Sequence, residues 1–274
     1  MSAAAPAPPG TPDPEALVAL AVDVAAQAAA LLVEGLGRTR ALVDTKTTVT
    51  DMVTEMDRAS ERLVVDALLA ARPDDGVLGE EGTDHLGTSG VRWIVDPLDG
   101  TTNYLYRHAG FAVSIAAELD GEVVAGVVHD PLHGEVFTAT RGGGARRNGV
   151  PVAASSEDRL GHALVATGFA YDPARRARQA AVLARIIPSI RDIRRMGAAA
   201  VDLCSVACGR VDAYYERGLQ VWDHAAGGLV ASEAGAWVGG LLSPEIGDGV
   251  CLAAPPALLA PLRELLIEAG AADV

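Results

Sequence analysis

Residues 92–103 read Arg-Trp-Ile-Val-Asp-Pro-Leu-Asp-Gly-Thr-Thr-Asn. The large apolar run Trp93, Ile94 and Val95 reads as a buried strand, and it ends on a carboxylate, Asp96. A tight turn over Pro97-Leu98-Asp99-Gly100 is expected next, bringing Asp99 back near Asp96. Gly100, Thr101 and Thr102 then offer backbone amides with little side chain in the way. A fold that buries this strand puts two carboxylates and a donor-rich turn at one place. That combination suits a divalent metal and a phosphate together.

The chain has 274 residues, enough for one large domain or two modest ones, and half of them are hydrophobic. Its formal charge of -14 argues against a nucleic-acid-binding surface, which needs clustered Lys and Arg. A phosphorylated substrate stays open, because acidic residues hold cations and the cations hold phosphate. Solvated surface accounts for most of the acidity. Three cysteines, Cys204, Cys208 and Cys251, form no disulfide framework and fit a reducing, cytoplasmic setting. Cys204 and Cys208 read as core packing. No apolar run reaches the ~18 residues of a membrane span. Residues 1–13 are Ala/Pro-rich without a basic segment and read as a disordered tail, not a signal peptide.

Along the chain, a helix is expected from Pro14 to about Gly35, with Gly35 and Gly37 as its stop. A polar stretch, Thr45 to Asp51, leads to a second helix from about Thr54 to Ala71, ended by Pro73. The middle is strand-rich. Phe111 to Leu119 alternates, Asp120-Gly121 is a two-residue hairpin signal, Glu122 to His129 returns, and Glu135 to Thr140 follows. Gly142 to Gly144 is expected to close this meander. Strands and helices alternate afterwards: strands at Ala163–Ala166, Val211–Glu216 and Val250–Ala254, helices near Pro173–Ile187, Ala199–Cys208, Asp223–Ala234 and Pro255–Ala269. The polar stretch Val152 to Arg159 divides an N-terminal α+β half, 14–155, from a C-terminal half, 156–274.

Four further segments carry candidate chemistry. In Lys46 to Asp57, Thr54 and Asp57 have the spacing of a helix N-terminal capping pair, which alone explains Asp57. Gly79-Glu80-Glu81-Gly82 sets two carboxylates between glycines. They are either solvated or hold a cation, with a loop folding Glu80 back onto the strand end. Trp222-Asp223-His224-Ala225-Ala226-Gly227 places Asp223 where a helix N-cap stands. Arg195-Met196-Gly197-Ala198-Ala199-Ala200 has small side chains that admit another backbone or a substrate.

Each segment is ambiguous alone, but their order and spacing are not. Glu80, Asp-Pro-Leu-Asp-Gly-Thr at 96–101 and Trp-Asp-x-Ala-Ala-Gly at 222–227 resemble the inositol monophosphatase family of metal-dependent phosphatases, over roughly residues 14–270. The resemblance implies an α+β fold, a layered αβαβα sandwich shared with fructose-1,6-bisphosphatases, and a homodimer. It implies Mg2+, two or three ions per site, and inhibition by lithium. Glu80, Asp96 and the Leu98 carbonyl would bind a first ion, and Asp96, Asp99 and Asp223 a second. Glu80 would also help hold a third. Thr101 and Asp57 would orient and deprotonate the attacking water with help from Glu80. Lys46 matches a lysine near that cluster.

The amides of Gly100 and Thr101 would hold phosphate oxygens. Asp99, the Gly197–Ala199 backbone and Glu216 match positions that bond inositol hydroxyls. Ala198 departs from the pattern, since relatives often carry a hydroxyl there. Thr102-Asn103-Tyr104 looks like the inositol monophosphatase branch, whereas histidinol-phosphate phosphatases more often have a lysine at the position of Thr102. The resemblance thus points to myo-inositol-1-phosphate hydrolysis, with histidinol phosphate or broad sugar and polyol phosphate hydrolysis as the alternative. Some relatives are instead binding proteins of RNA-processing machinery; the full carboxylate set and the acidity weigh against that role here.

Overall fold

The alternation that reads as hydrophobic strand in the sequence sorts the core into layers. In the computed structural model, which describes residues 12–39, 49–247 and 249–274, β3 (Val91–Asp99) sends Trp93 and Val95 to one side and Ile94 to the other. Trp93 and Val95 pack against α1 (Pro14–Thr39) and α2 (Val49–Ala71). Ile94 packs against α5 (Ala199–Ala207) and α6 (Val221–Glu233).

β3 lies inside an eight-stranded sheet. Its companions are β1 (Gly76–Gly79), β2 (Asp84–His85), β4 (Ala112–Leu119), β5 (Glu122–Asp130), β6 (Glu135–Thr140), β7 (Gly144–Arg147) and β8 (Val150–Pro151), in the order β2-β1-β3-β4-β5-β6-β7-β8. A second sheet contains β9 (Leu164–Thr167), β10 (Asp192–Arg194), β11 (Ala213–Arg217), β12 (Trp237–Gly240) and β13 (Val250–Ala254), ordered β10-β9-β11-β13-β12. One face of it, with Ala166, Tyr214, Cys251 and Ala253, joins the α5–α6 core. The opposite face packs on α4 (Pro173–Ile186) and α7 (Pro256–Glu268). The remaining helix, α3 (Thr101–Tyr106), follows β3 directly. The layers run helix, sheet, helix, sheet, helix, the expected αβαβα arrangement.

Local signals behave as their chemistry dictates. Asp120 and Gly121 both take positive φ, 53° and 84°, the two-residue turn whose twist matches the β4–β5 hairpin. Asp13 accepts from the Glu15 amide at 3.1 Å ahead of Pro14. All three cysteines are free, with Cys204 and Cys251 buried.

Several expectations are corrected. Helix α1 runs through Gly35 and Gly37. Gly35 is a close-approach site instead, since a Cβ there would stand 2.5 Å from the Tyr104 hydroxyl and 2.7 Å from Met56. By length and composition α1 also passes for a membrane span, with a hydropathy of 2.2 over Pro14–Leu36. Its Leu17, Ala21, Val24, Ala28 and Leu32 face lies in the core on the large sheet. The meander does not close at Gly142–Gly144; β7 and β8 extend it, because the glycine turn (Gly144 φ 79°) simply starts another hairpin. Residues 1–11, most of the expected tail, lie outside the described residues, as does Lys46.

Helix α6 is clamped between layers by its small residues. A Cβ on Gly227 would stand 3.0 Å from the Ala200 carbonyl oxygen and from Leu203 Cβ, while one on Gly228 would meet nothing closer than 3.6 Å. Gly227→Val therefore overpacks the α5–α6 contact and should cost about 1–3 kcal/mol. Gly228→Ala should gain up to about 1 kcal/mol from helix propensity. Thermal melts of the two variants should move in opposite directions.

Candidate active site

The large sheet's register builds the first part of the site. Strand β1 lies parallel to β3 with Gly79 opposite Val95, and the Glu80 amide donates to the Val95 carbonyl at 3.2 Å. Glu80 thus starts the loop that leaves β1 and is held at the Asp96 end of β3 by strand pairing, in line with the expected return of this segment to the strand end. Nor does β3 turn at Pro97. It continues to Asp99 with a shift in its pairing to β4 between Asp96 and Asp99, which carries both carboxylates to one edge. The Leu98 amide donates to Asp96 Oδ1 at 3.0 Å, and Ser60 Oγ donates to the Pro97 carbonyl at 2.9 Å.

Asp99 is drawn to the other half of the molecule. Its Oδ1 accepts from the Ala199 amide at 3.2 Å and its Oδ2 from the Ala200 amide at 2.7 Å. The N-cap position of α5 is Ala198, which has no side-chain oxygen, so Asp99 caps this helix from a hundred residues away. Asp223 is the third residue of α6 and not its cap. Gln220 holds the cap position, and its amide donates to Asp223 Oδ2 at 2.6 Å in a reciprocal capping box.

Helix α2 supplies one stripe with two chemistries. Val64 and Leu68 enter the core, and one to two turns earlier the same face carries Asp57, Ser60 and Glu61, all buried. The helix starts at Val49, so Asp57 stands in its third turn and the capping reading of Thr54 and Asp57 fails. Asp57 Oδ1 is buried without a partner. Glu61 accepts from the Glu81 amide (2.7 Å), the Thr83 amide (3.1 Å) and Thr83 Oγ1 (2.7 Å), which fastens the loop that carries Glu80.

Glu80, Asp96, Leu98, Asp99, Gly100, Thr101, Gly197, Ala199, Glu216 and Asp223 line one cleft of about 360 Å³. Gly100 has φ 87° and precedes the first turn of α3, and both it and Thr101 line the cleft. Thr101 Oγ1 donates to the Leu98 carbonyl at 3.3 Å. Glu216, at the end of β11, accepts from the Tyr214 hydroxyl at 2.8 Å and lies directly against Gly168, where a side chain has no room. Two predicted contacts do not line the cleft. Ala198 is buried as the α5 cap residue, and Thr102 turns to the Tyr171 hydroxyl at 3.2 Å. The Ala199 amide is committed to Asp99 and is not free for a substrate hydroxyl.

Charge crowding is the main electrostatic fact. Burial raises Asp96 and Asp99 well above the usual carboxylate range, and their acidic neighbours raise them further. Glu80 and Asp96 stand within hydrogen-bonding reach of each other, and burial raises both above the usual carboxylate range. Burial pushes Asp223 up to about 6 against the opposing Gln220 amide. Asp57 rises to about 8, from burial first and then from Glu81, Glu80 and Glu61. Glu216 is raised by burial, with Tyr214 and Arg195 opposing. Among the described residues no three His, Cys, Asp or Glu side chains are placed so that together they could hold a metal ion. The carboxylates instead form an open wall, which suits a hard cation that keeps several waters.

Comparison with known proteins decides the family. The pattern of the inositol monophosphatase family matches residues 13–268. The chain belongs to that family. It is 45% identical over 279 residues to the Mycobacterium leprae protein named inositol-1-monophosphatase, covering 92% of this chain and 94% of that one. The solved structure of Mycobacterium tuberculosis SuhB superposes with a TM-score of 0.83 at 41% identity, covering 95% of this chain and 99% of the other. A Salmonella typhimurium protein named Nus factor SuhB is 42% identical over 191 residues, 68% of this chain and 70% of its own length.

Within this inositol monophosphatase fold, sequence reasoning missed Glu61, Tyr171 and the stitching role of Asn103. The Asn103 amide donates to the Gly110 and Met196 carbonyls, each at 2.7 Å, and so ties the turn after Asp99 to the Gly197 segment. Glu61 did carry a signal, four residues after Asp57 and therefore on the same helix face.

The raised Asp57 pKa has a definite sign. The folded, metal-free chain holds this proton up to about pH 8, while an unfolded carboxyl loses it near 3.8. Stability from this group is thus complete below pH 4 and lost as pH rises towards 8. Melts in chelator should fall between pH 5 and 8, less steeply for Asp57→Asn. An equal slope in the variant would remove Asp57 from the crowded set.

Proposed function

We propose that this chain hydrolyses phosphate monoesters with Mg2+, and that myo-inositol 1-phosphate is its preferred substrate. The observation that carries the reading is the wall of carboxylates, Glu80, Asp96, Asp99 and Asp223, that lines the cleft, with the buried, unpartnered Asp57 oxygen set behind it close to Glu80 and not itself on the cleft surface. A buried polar atom without a partner costs about 1–3 kcal/mol. A hydrated cation and its waters offer it the missing donors.

The donor set fits the ion. Glu80, Asp96 and the Leu98 carbonyl would hold one Mg2+, Asp96, Asp99 and Asp223 a second, and Glu80 with waters a third. Bound there, the ions would neutralise phosphate charge and acidify a water. The protein's own groups do the rest. The Asp57 oxygen accepts the water's proton. Thr101 Oγ1 has given its hydrogen to the Leu98 carbonyl, so its lone pairs accept from the water and orient it. The amides of Gly100 and Thr101 hold phosphate oxygens at the start of α3. Glu216 and Gly197, both on the cleft wall, face the leaving group, where a carboxylate accepts from polyol hydroxyls. A homodimer in a reducing cytoplasm, lithium-sensitive, completes the reading.

A second reading comes from the relatives named Nus factor. A binding role would leave Asp96 dispensable. Asp96→Asn should lower Mg2+-dependent turnover by about a thousandfold or more, because it removes a ligand shared by two ions. Full activity in that variant would overturn the ligand assignment. With the wild type, inositol 1-phosphate should exceed histidinol phosphate in kcat/KM; the reverse order would overturn the substrate.

A further inference from the structure

Residues 168–172 connect β9 to α4 along the rim of the cleft, and their fastening is unusual. At the base, the Ala170 amide donates to the buried Gln179 side chain at 2.8 Å. At the far end, Asp172 caps α4 by accepting from the Arg175 amide at 2.7 Å. Between these anchors Tyr171 is 77% exposed, yet it lines the cleft and meets Thr102 Oγ1 at 3.2 Å. Thr102 is the neighbour of Thr101 on α3. Arg175 reaches the other bank: its Nη1 would stand 2.9 Å from a Cβ on Gly218, two residues beyond Glu216. Gly218 has φ 91°, and its bare Cα leaves the guanidinium its seat.

A side chain as exposed as Tyr171 contributes nothing to the core, so its position over the cleft calls for another account. We propose that Tyr171 and Arg175 form a strap across the mouth of the cleft, pinned by Thr102 on one bank and Gly218 on the other, and that this strap selects the leaving group. The proposal rests on the phosphatase reading. A six-carbon polyol that reaches Glu216 lies under the strap. A three-carbon leaving group does not extend to it. Thr102 thereby influences substrate choice without touching substrate, as the residue that positions Tyr171.

The test compares inositol 1-phosphate with glycerol 2-phosphate, both with Mg2+. Tyr171→Ala should raise KM for inositol 1-phosphate about three- to tenfold, the range of one hydrogen bond and its contacts, with kcat within about twofold. KM for glycerol 2-phosphate should hold. Tyr171→Phe and Thr102→Val should each raise the first KM two- to threefold, roughly the loss of one exposed hydrogen bond, and their combination should go no further than either alone. Melts of all variants should overlay the wild type. Equal changes for both substrates, no change for either, or a lowered melt of Tyr171→Ala would overturn the strap. A wild type that hydrolyses neither ester would overturn the phosphatase reading, and the strap with it.

Discussion

Asp99 is pulled by both halves of the molecule, and the geometry of the site follows from that contest. It ends a strand of the large sheet and caps a helix that belongs equally to the small one. The first free amides of α5 carry partial positive charge, so they draw the carboxylate in and hold both its oxygens. Gly100 follows at once with a left-handed backbone, where a Cβ would crowd the Gly110 carbonyl at 3.0 Å and Ala198 at 3.1 Å. The end of β3, the start of α3 and the start of α5 are therefore locked at one point. Asn103 adds a second tie between the same segments.

Around this point the protein accumulates acid, and among the described residues the cations on the cleft are Arg175, Arg195 and Arg217. Arg195 eases Glu216, but burial raises Asp57, Glu80, Asp96, Asp99 and Asp223, and acidic neighbours raise the first four further. Such crowding is unfavourable in the empty fold and favourable once cations enter, so ion binding and stability are linked. Four of these carboxylates sit on regular elements, Asp96 and Asp99 on β3, Asp223 in the first turn of α6 and Asp57 on the face of α2, while Glu80 follows the end of β1.

The order of strands and helices was legible in short spacings, whereas the αβαβα layering and the grouping of the carboxylates came from the resemblance that their motifs carry. The alternation around Trp93, the Asp120-Gly121 turn and the helical runs after Pro173 and Ala199 are all local. What escaped was set by distant pairing. Glu80 was read as a loop residue folding back onto the strand end, but nothing within β1 announces the parallel pairing with β3 that brings it there. Pro97 suggested a turn, yet the strand passes through it at a pairing irregularity, where no ladder donor is required. Asp223 looked like a cap because the true one, Gln220, is an uncommon residue there. Thr102 pointed to substrate choice, but its partner Tyr171 lies 69 residues away.

The alanines and glycines of α6 have a consequence for how such an enzyme diversifies. The helix carrying Asp223 is wedged between two sheets at near-backbone distance: a Cβ on Gly126 would stand 3.1 Å from Ala226 Cα. That layer behaves as a chassis, with almost no volume for a new side chain. The rim at 171–175 faces solvent and has room to vary. A lineage built on this frame can exchange one leaving group for another by rewriting a few rim residues, while the hydrolytic machinery stays where the packing holds it.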